Sequence, residues 1–264
     1  MTWQIVKIIA IISMTVDHAA ATFLSQPFLI HRLGMSMTAS YLTLEIMRAI
    51  GRIAFPLYAF GMAQGCAYTK NRKKFLLRLL LFAVLAEAPF QLAFRGSLSF
   101  GHLPITNVLF TLLIGSLCCF ILDFFRKRRK AWAAILPIGA LVLLAEICRT
   151  DYGGLGVLFV LLPYLFQKKR WKLVALAALA TWLYGLPAVA SMLSGGAYFA
   201  SVLNWLCALS AVGILALYNG QEGRHSKVSK YFFYAYYPFH LLLFYSLTQW
   251  IGPISIDWST FENY

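Results

Sequence analysis

Acidic residues are scarce in this chain: nine Asp and Glu stand against 23 Lys and Arg in 264 residues. All charged residues together make up 12%, about half of the roughly 25% usual in soluble proteins. Hydrophobic residues make up 61%, more apolar surface than a soluble core of this length needs. That balance excludes a separate soluble domain and leaves one integral membrane domain over residues 1–264. Cysteine is also sparse, and Cys66, Cys118, Cys119, Cys148 and Cys207 all fall inside apolar stretches. They read as small core hydrophobes. With no CxxC and no Cys/His ligand spacing, neither a disulfide framework nor a metal site is indicated. No Gly-rich nucleotide loop of the Walker or Rossmann type occurs. Phosphate capture would therefore fall to basic loops such as Asn71-Arg72-Lys73-Lys74. An internal repeat and matched Gly/Pro-broken spans, frequent in transporters, are missing as well.

What the chain does have is apolar length. Hydropathy predicts spans near 3–24, 43–68, 74–94, 105–125, 131–149, 153–167, 171–190, 198–218 and 229–250. The sixth is short, so the count is eight or nine. Open strands cannot satisfy their backbone in lipid, and the expectation is an all-α, polytopic membrane helical bundle of about nine transmembrane helices. Lys7 and the apolar run up to Ala19-Ala20-Ala21 have the layout of a secretory signal. The stretch is long enough to span, however, and Asp17-His18 beside its apolar centre argues for a membrane helix.

Eighteen of the 23 Lys and Arg fall at Lys7 and in four alternate loops, 70–78, 126–130, 168–172 and 224–230. The intervening loops hold only Arg32, Arg95 and Arg149. By the positive-inside rule this predicts the N-terminus in the cytoplasm and the C-terminus outside. The net charge of +14 follows topology and does not point to nucleic acid.

A few ionisable residues interrupt the apolar stretches: Asp17, His18, Arg48, Arg52, Glu87 and His240. A charge at mid-bilayer costs roughly 2.5–3.5 kcal/mol on insertion scales, and such residues mark a site by default. With the spans oriented, all but His240 fall in the outer half, with His102, Asn107, Thr111, Glu146, Arg149 and Asp151. Glu45, Arg48 and Arg52 share one helical face, which must turn inward to meet acids. Asp17, Glu87 and Asp151 are the available partners, with Arg52–Asp17 the favoured pair. That pair reads either as part of a site or as an ion-pair lock between helices. Asp17 and His18 diverge by about 100° around their helix, so they face different walls. An imidazole there suits a general base, and equally a packed hydrogen-bond donor. His240, after Tyr237-Pro238-Phe239, is the second such candidate. Asn107 and Thr111 share a face as donors to an oxyanion, or as polar glue between helices.

These motifs, in this order, resemble the TraX family: Asp17-His18, Gly51-Arg52 with Phe55-Pro56, and Thr69-Lys70-Asn71-Arg72 in the first part of the chain. Glu87 with Pro89, Asn107 with Phe110-Thr111, Asp151-Tyr152 with Gly156, and Tyr237-Pro238 with His240 complete the set. The likeness covers almost the whole chain, although residues 25–42 and 186–200 carry no recognisable motif.

The resemblance implies a multi-pass protein of the bacterial inner membrane that is an acyltransferase. Acetyl would pass from cytoplasmic acetyl-CoA, a donor substrate, to an amine or hydroxyl on an extracytoplasmic protein, such as a pilin N-terminus, or on a glycan. His18 would be the base, with Asp17 and Glu87 orienting it and Arg52. Arg52, Asn107 or Thr111 would stabilise the oxyanion, and Asp151 would sit at the acceptor mouth. Asn71, Arg72, Lys73 and Lys74, with Arg48 and Thr111, would hold the donor. Intramembrane Asp, Glu, Arg and His also build proton relays, so a proton-coupled transporter is the rival reading. A non-catalytic assembly factor is the third.

Overall fold

The computed structural model describes residues 1–98, 106–195, 198–223 and 227–252. His102, Arg224 and the side chains of Lys227 and Lys230 lie outside them. The described chain is all helical, with no strand among those residues. In chain order the helices are α1 (Trp3–Ala21), α2 (Gln26–Leu33), α3 (Met37–Gly51), α4 (Ala54–Tyr68), α5 (Arg72–Arg95) and α6 (Val108–Lys127). They continue as α7 (Ile135–Ile147), α8 (Gly153–Leu165), α9 (Lys169–Ala180), α10 (Leu186–Leu193), α11 (Phe199–Ala216) and α12 (Lys227–Ile251).

Five helical stretches among the described residues are long and apolar enough to cross a membrane: Trp3–Ala21, Arg72–Arg95, Val108–Lys127, Lys169–Leu193 and Phe199–Ala216. Ala131–Ile147 and Gly153–Leu165 are shorter apolar helices. The fourth stretch runs α9 into α10 through one π-helical turn, Thr181–Gly185.

Local chemistry sets the boundaries. Asn71 caps α5, its side chain accepting from the Lys74 amide at 2.9 Å. Ser25 and Ser36 cap α2 and α3 in the same way, satisfying first-turn donors. The expected span over 43–68 divides into α3 and α4 at Arg52-Ile53. Pro56 lacks the N–H that would bond back to Arg52 O in a continuous helix, which fits the break at that point. Helix α2 lies within residues 25–42, between the first two expected spans.

Helix α8 is the axis of the bundle. It packs against α4, α6, α7 and α9, and none of its thirteen residues is exposed. Around it the chain ends sort into two groups. Trp3 N–H donates to Gln221 O at 2.8 Å, Lys172 Nζ to Gln64 Oε1 at 2.9 Å, and Lys169 Nζ to Ala216 O at 2.7 Å. Arg72 is ion-paired to Asp123, which also accepts from Tyr164 Oη at 2.7 Å. These bonds gather the starts of α1, α5 and α9 and the ends of α4, α6, α8 and α11 at one basic end. The ionisable residues of the apolar stretches collect at the other.

Candidate functional site

At that far end a cavity of about 380 Å³ is lined by the end of α1, the α3–α4 break, the end of α5, the α7–α8 turn and α12. Asp17, His18, Arg48, Arg52 and Asp151 all reach it. Five of the thirteen residues singled out by sequence thus come together from separate helices. Gly51 makes the approach of α1 to α3 possible, since a Cβ there would lie 2.2 Å from Asp17 Cβ. Ser13 Oγ donates to Ile50 O at 2.5 Å and fixes the same contact.

Within the cavity the pairing differs from the expected one. The Asp17 carboxylate meets Arg48 at 2.7 Å, not Arg52. Arg52 donates from Nε to Asn204 Oδ1 at 3.2 Å and lies 5.9 Å from the Tyr184 ring centre. Its position at the end of α3, where the helix breaks, turns it away from the line through Arg48. Arg48, assigned to donor binding by sequence, therefore serves as the counter-ion of Asp17.

His18 and His240 are joined. His18 Nδ1 lies 2.7 Å from His240 Nε2, and His240 Nδ1 lies 2.8 Å from Tyr236 O. A carbonyl only accepts, so His240 carries its hydrogen on Nδ1. With both rings neutral, His240 Nε2 is then an acceptor and His18 must donate from Nδ1. The lone pair of His18 Nε2 is left over, and no hydrogen-bond partner for it is found among the described residues. Phe94 meets the His18 ring edge-on at a centroid distance of 5.2 Å.

Glu87, Asn107 and Thr111 lie outside this cavity and do other work. The Glu87 carboxyl accepts from Gln91 Nε2 (3.1 Å), Thr106 N–H (3.2 Å), Thr106 Oγ1 (2.6 Å), Asn107 N–H (3.2 Å) and Asn107 Nδ2 (2.7 Å). It bolts the start of α6 to α5 and does not reach Arg52. Asn107 Nδ2 also donates to Ala83 O at 2.9 Å, while Oδ1 caps α6 by accepting from Leu109 N–H at 3.0 Å. Thr111 Oγ1 donates to Asp151 O. Both hydrogens of Asn107 and the hydroxyl hydrogen of Thr111 are thus engaged inside the protein. In this arrangement neither is placed as an oxyanion donor, and Thr111 instead holds the Asp151 turn. Tyr152, at a left-handed φ of 66°, follows in that turn and stacks on Phe55 at 3.7 Å between centroids.

The expected donor cradle is likewise partly committed. Asn71 is a helix cap and Arg72 is the partner of Asp123. Lys73 and Lys74 remain exposed.

Sequence reasoning missed Asn204 and Tyr58, the latter on the cavity wall. Asn204 was detectable as the one carboxamide in α11; Tyr58 carried no signal that set it apart from the other core aromatics.

Comparison with known proteins adds family membership. A family model described as "TraX protein" matches residues 2–248. The chain is similar to a probable fimbrial assembly protein FimC, serogroup H1, of Dichelobacter nodosus, at 31% identity over 251 residues, 90% of this chain and 91% of that protein. It is also similar to the uncharacterized protein RP591 of Rickettsia prowazekii (strain Madrid E), at 27% identity over 174 residues, 64% of this chain and 58% of that protein. No solved structure matches. A polytopic helical chain matched from residue 2 to residue 248 belongs to the TraX family.

Proposed function

We propose that the protein is a membrane acyltransferase that acetylates an amine or hydroxyl on an extracytoplasmic acceptor, with acetyl-CoA as donor. TraX-type proteins are associated with pilin acetylation, and the similarity to a probable fimbrial assembly protein makes a pilin-type subunit the favoured acceptor. The basic end faces the cytoplasm, in nine traversals with the N-terminus inside, because that is where Lys and Arg accumulate.

One observation carries this reading: a histidine with an uncommitted ring nitrogen in a cavity shared by Asp17, Arg48, Arg52 and Asp151. His18 Nε2 takes the proton from the acceptor as its nitrogen or oxygen attacks the thioester carbonyl. The new C–N or C–O bond forms, the C–S bond breaks, and the thiolate of CoA leaves with that proton. The Arg52 guanidinium lies in the same cavity and balances the oxyanion. Asp17, held by Arg48, supports the α1 segment that carries His18.

The test is acetyl transfer by the purified protein in lipid nanodiscs, with acetyl-CoA on one side and an acceptor peptide on the other. His18→Ala should abolish product while the protein keeps its thermal unfolding profile; normal turnover by this variant overturns the assignment.

A second reading, proton-coupled transport, draws on the His18–His240 bond, which is also the geometry of a proton relay. Substrate counterflow without consumption of acetyl-CoA would favour it.

A further inference from the structure

A second cavity, of about 390 Å³, opens at the basic end between the start of α1, the end of α4 and the segment that follows α11. Three of its walls are aromatic: Trp3, Tyr68 and Tyr218. Trp3 and Tyr218 pack edge to face, 5.7 Å between centroids, and both lean on the buried Phe60. Gln64 offers an amide, and its Oε1 already accepts from Lys172 Nζ at 2.9 Å. Lys169 Nζ lies 6.0 Å from the Tyr218 ring centre. Lys168 and Arg170 are exposed on the same run. Glu222 is the one carboxylate among the described lining residues.

The geometry points to this cavity as the docking site of the donor's nucleotide end: an adenine base among the aromatics and its phosphates on the Lys168–Lys172 side. This placement rests on the acyltransferase reading and differs from the Asn71–Lys74 cradle expected from sequence. Stacking suits a purine, because every base offers a π-face to an aromatic side chain. An exocyclic amine matches the acceptor oxygen of Gln64, and a phosphate is drawn to the exposed Lys168 and Arg170.

The position also suits a ligand with a long arm. Helix α4 lines both cavities, with Tyr58 on one and Gly61 on the other. Gly61 lies three positions after Tyr58, a rise of about 4.5 Å. Val6, Ala10, Leu57 and Phe60, on α1 and α4, are all buried in one core cluster. Gly61 lets the Trp3 ring seat against α4, because a Cβ there would meet that ring at 2.3 Å.

The experiment is calorimetric titration of CoA into the full-length protein in nanodiscs. Tyr218→Ala, and separately the double variant Lys169→Gln/Lys172→Gln, should each weaken CoA binding at least tenfold. Tyr218→Phe should bind as wild type, and so should Lys73→Gln/Lys74→Gln. If Tyr218→Ala fails to fold by thermal unfolding, the lysine pair decides. Unchanged binding in the lysine pair, or loss of binding in Lys73→Gln/Lys74→Gln, overturns the site and leaves the acyltransferase reading standing. No CoA binding by the wild type at millimolar concentration overturns both.

Discussion

His18 Nδ1 and His240 Nε2 stand 2.7 Å apart with ring planes within 10°, so α12 holds the histidine of α1 by a directed bond. On the proposed chemistry His240 is a positioning residue. Replacing His18 itself should cost about 10²–10⁴-fold in turnover, the range for a general base. His240→Ala should lower kcat by a smaller factor and leave KM for acetyl-CoA unchanged. His240→Gln, which restores an acceptor for His18 Nδ1–H, should recover part of the loss. Steady-state kinetics of the three variants settle this, and a His240→Gln variant no better than His240→Ala would contradict it.

Asp17 and Arg48 should be energetically coupled, and Asp17 and Arg52 less so. Breaking a fully buried pair costs about 3–5 kcal/mol, and Arg48, whose side chain is 35% exposed, brings that down to about 1–3 kcal/mol. A double-mutant cycle on Asp17→Asn and Arg48→Gln, read by denaturant unfolding in detergent, measures the term. A larger coupling to Arg52→Gln would restore the pairing expected from sequence.

Gly51→Ala should destabilise the protein by at least about 1–3 kcal/mol, because the added methyl overlaps Asp17. The overlap is with Asp17 Cβ, so Asp17→Ala should not relieve it. Thermal unfolding of both variants tests the point; rescue by Asp17→Ala would show that the two helices are not in contact there.

Glu87→Gln keeps the shape of the side chain but puts an NH₂ where donors already converge. A loss of about 2–3 kcal/mol is expected, the scale of one charged hydrogen bond removed and one donor left unpaired. Amide exchange at Thr106 and Asn107 should accelerate, since both N–H groups donate to this carboxyl. Unchanged exchange at those amides would show that Glu87 does not hold the turn.

Much of this was legible in the sequence, for an identifiable reason. Charges are so unfavourable in an apolar helix that Asp17, His18, Arg48, Arg52 and Asp151 announced a common destination, and they share one cavity. Partner choice was not legible, because it depends on a helix break. An unbroken helix keeps Arg48 and Arg52 on one stripe, whereas the break after Gly51 sends one to Asp17 and the other to Asn204. Glu87 and Asn107 looked like site residues for the same reason that they matter structurally: a buried carboxyl and amide need partners, and they found each other. Asn71 and Arg72 show the converse. Asn71 stands where a helix cap belongs, and the partner of Arg72, Asp123, lies on α6, 51 positions further along.

Helix α8 has only thirteen residues, and at 1.5 Å per residue it rises about 20 Å. A bilayer's hydrocarbon layer is about 30 Å thick. The protein's central post is therefore shorter than the lipid that surrounds it, with the two chambers hollowed toward its opposite ends. Any group handed from one chamber to the other meets a waist narrower than the membrane, which lessens the distance that a flexible carrier arm must bridge.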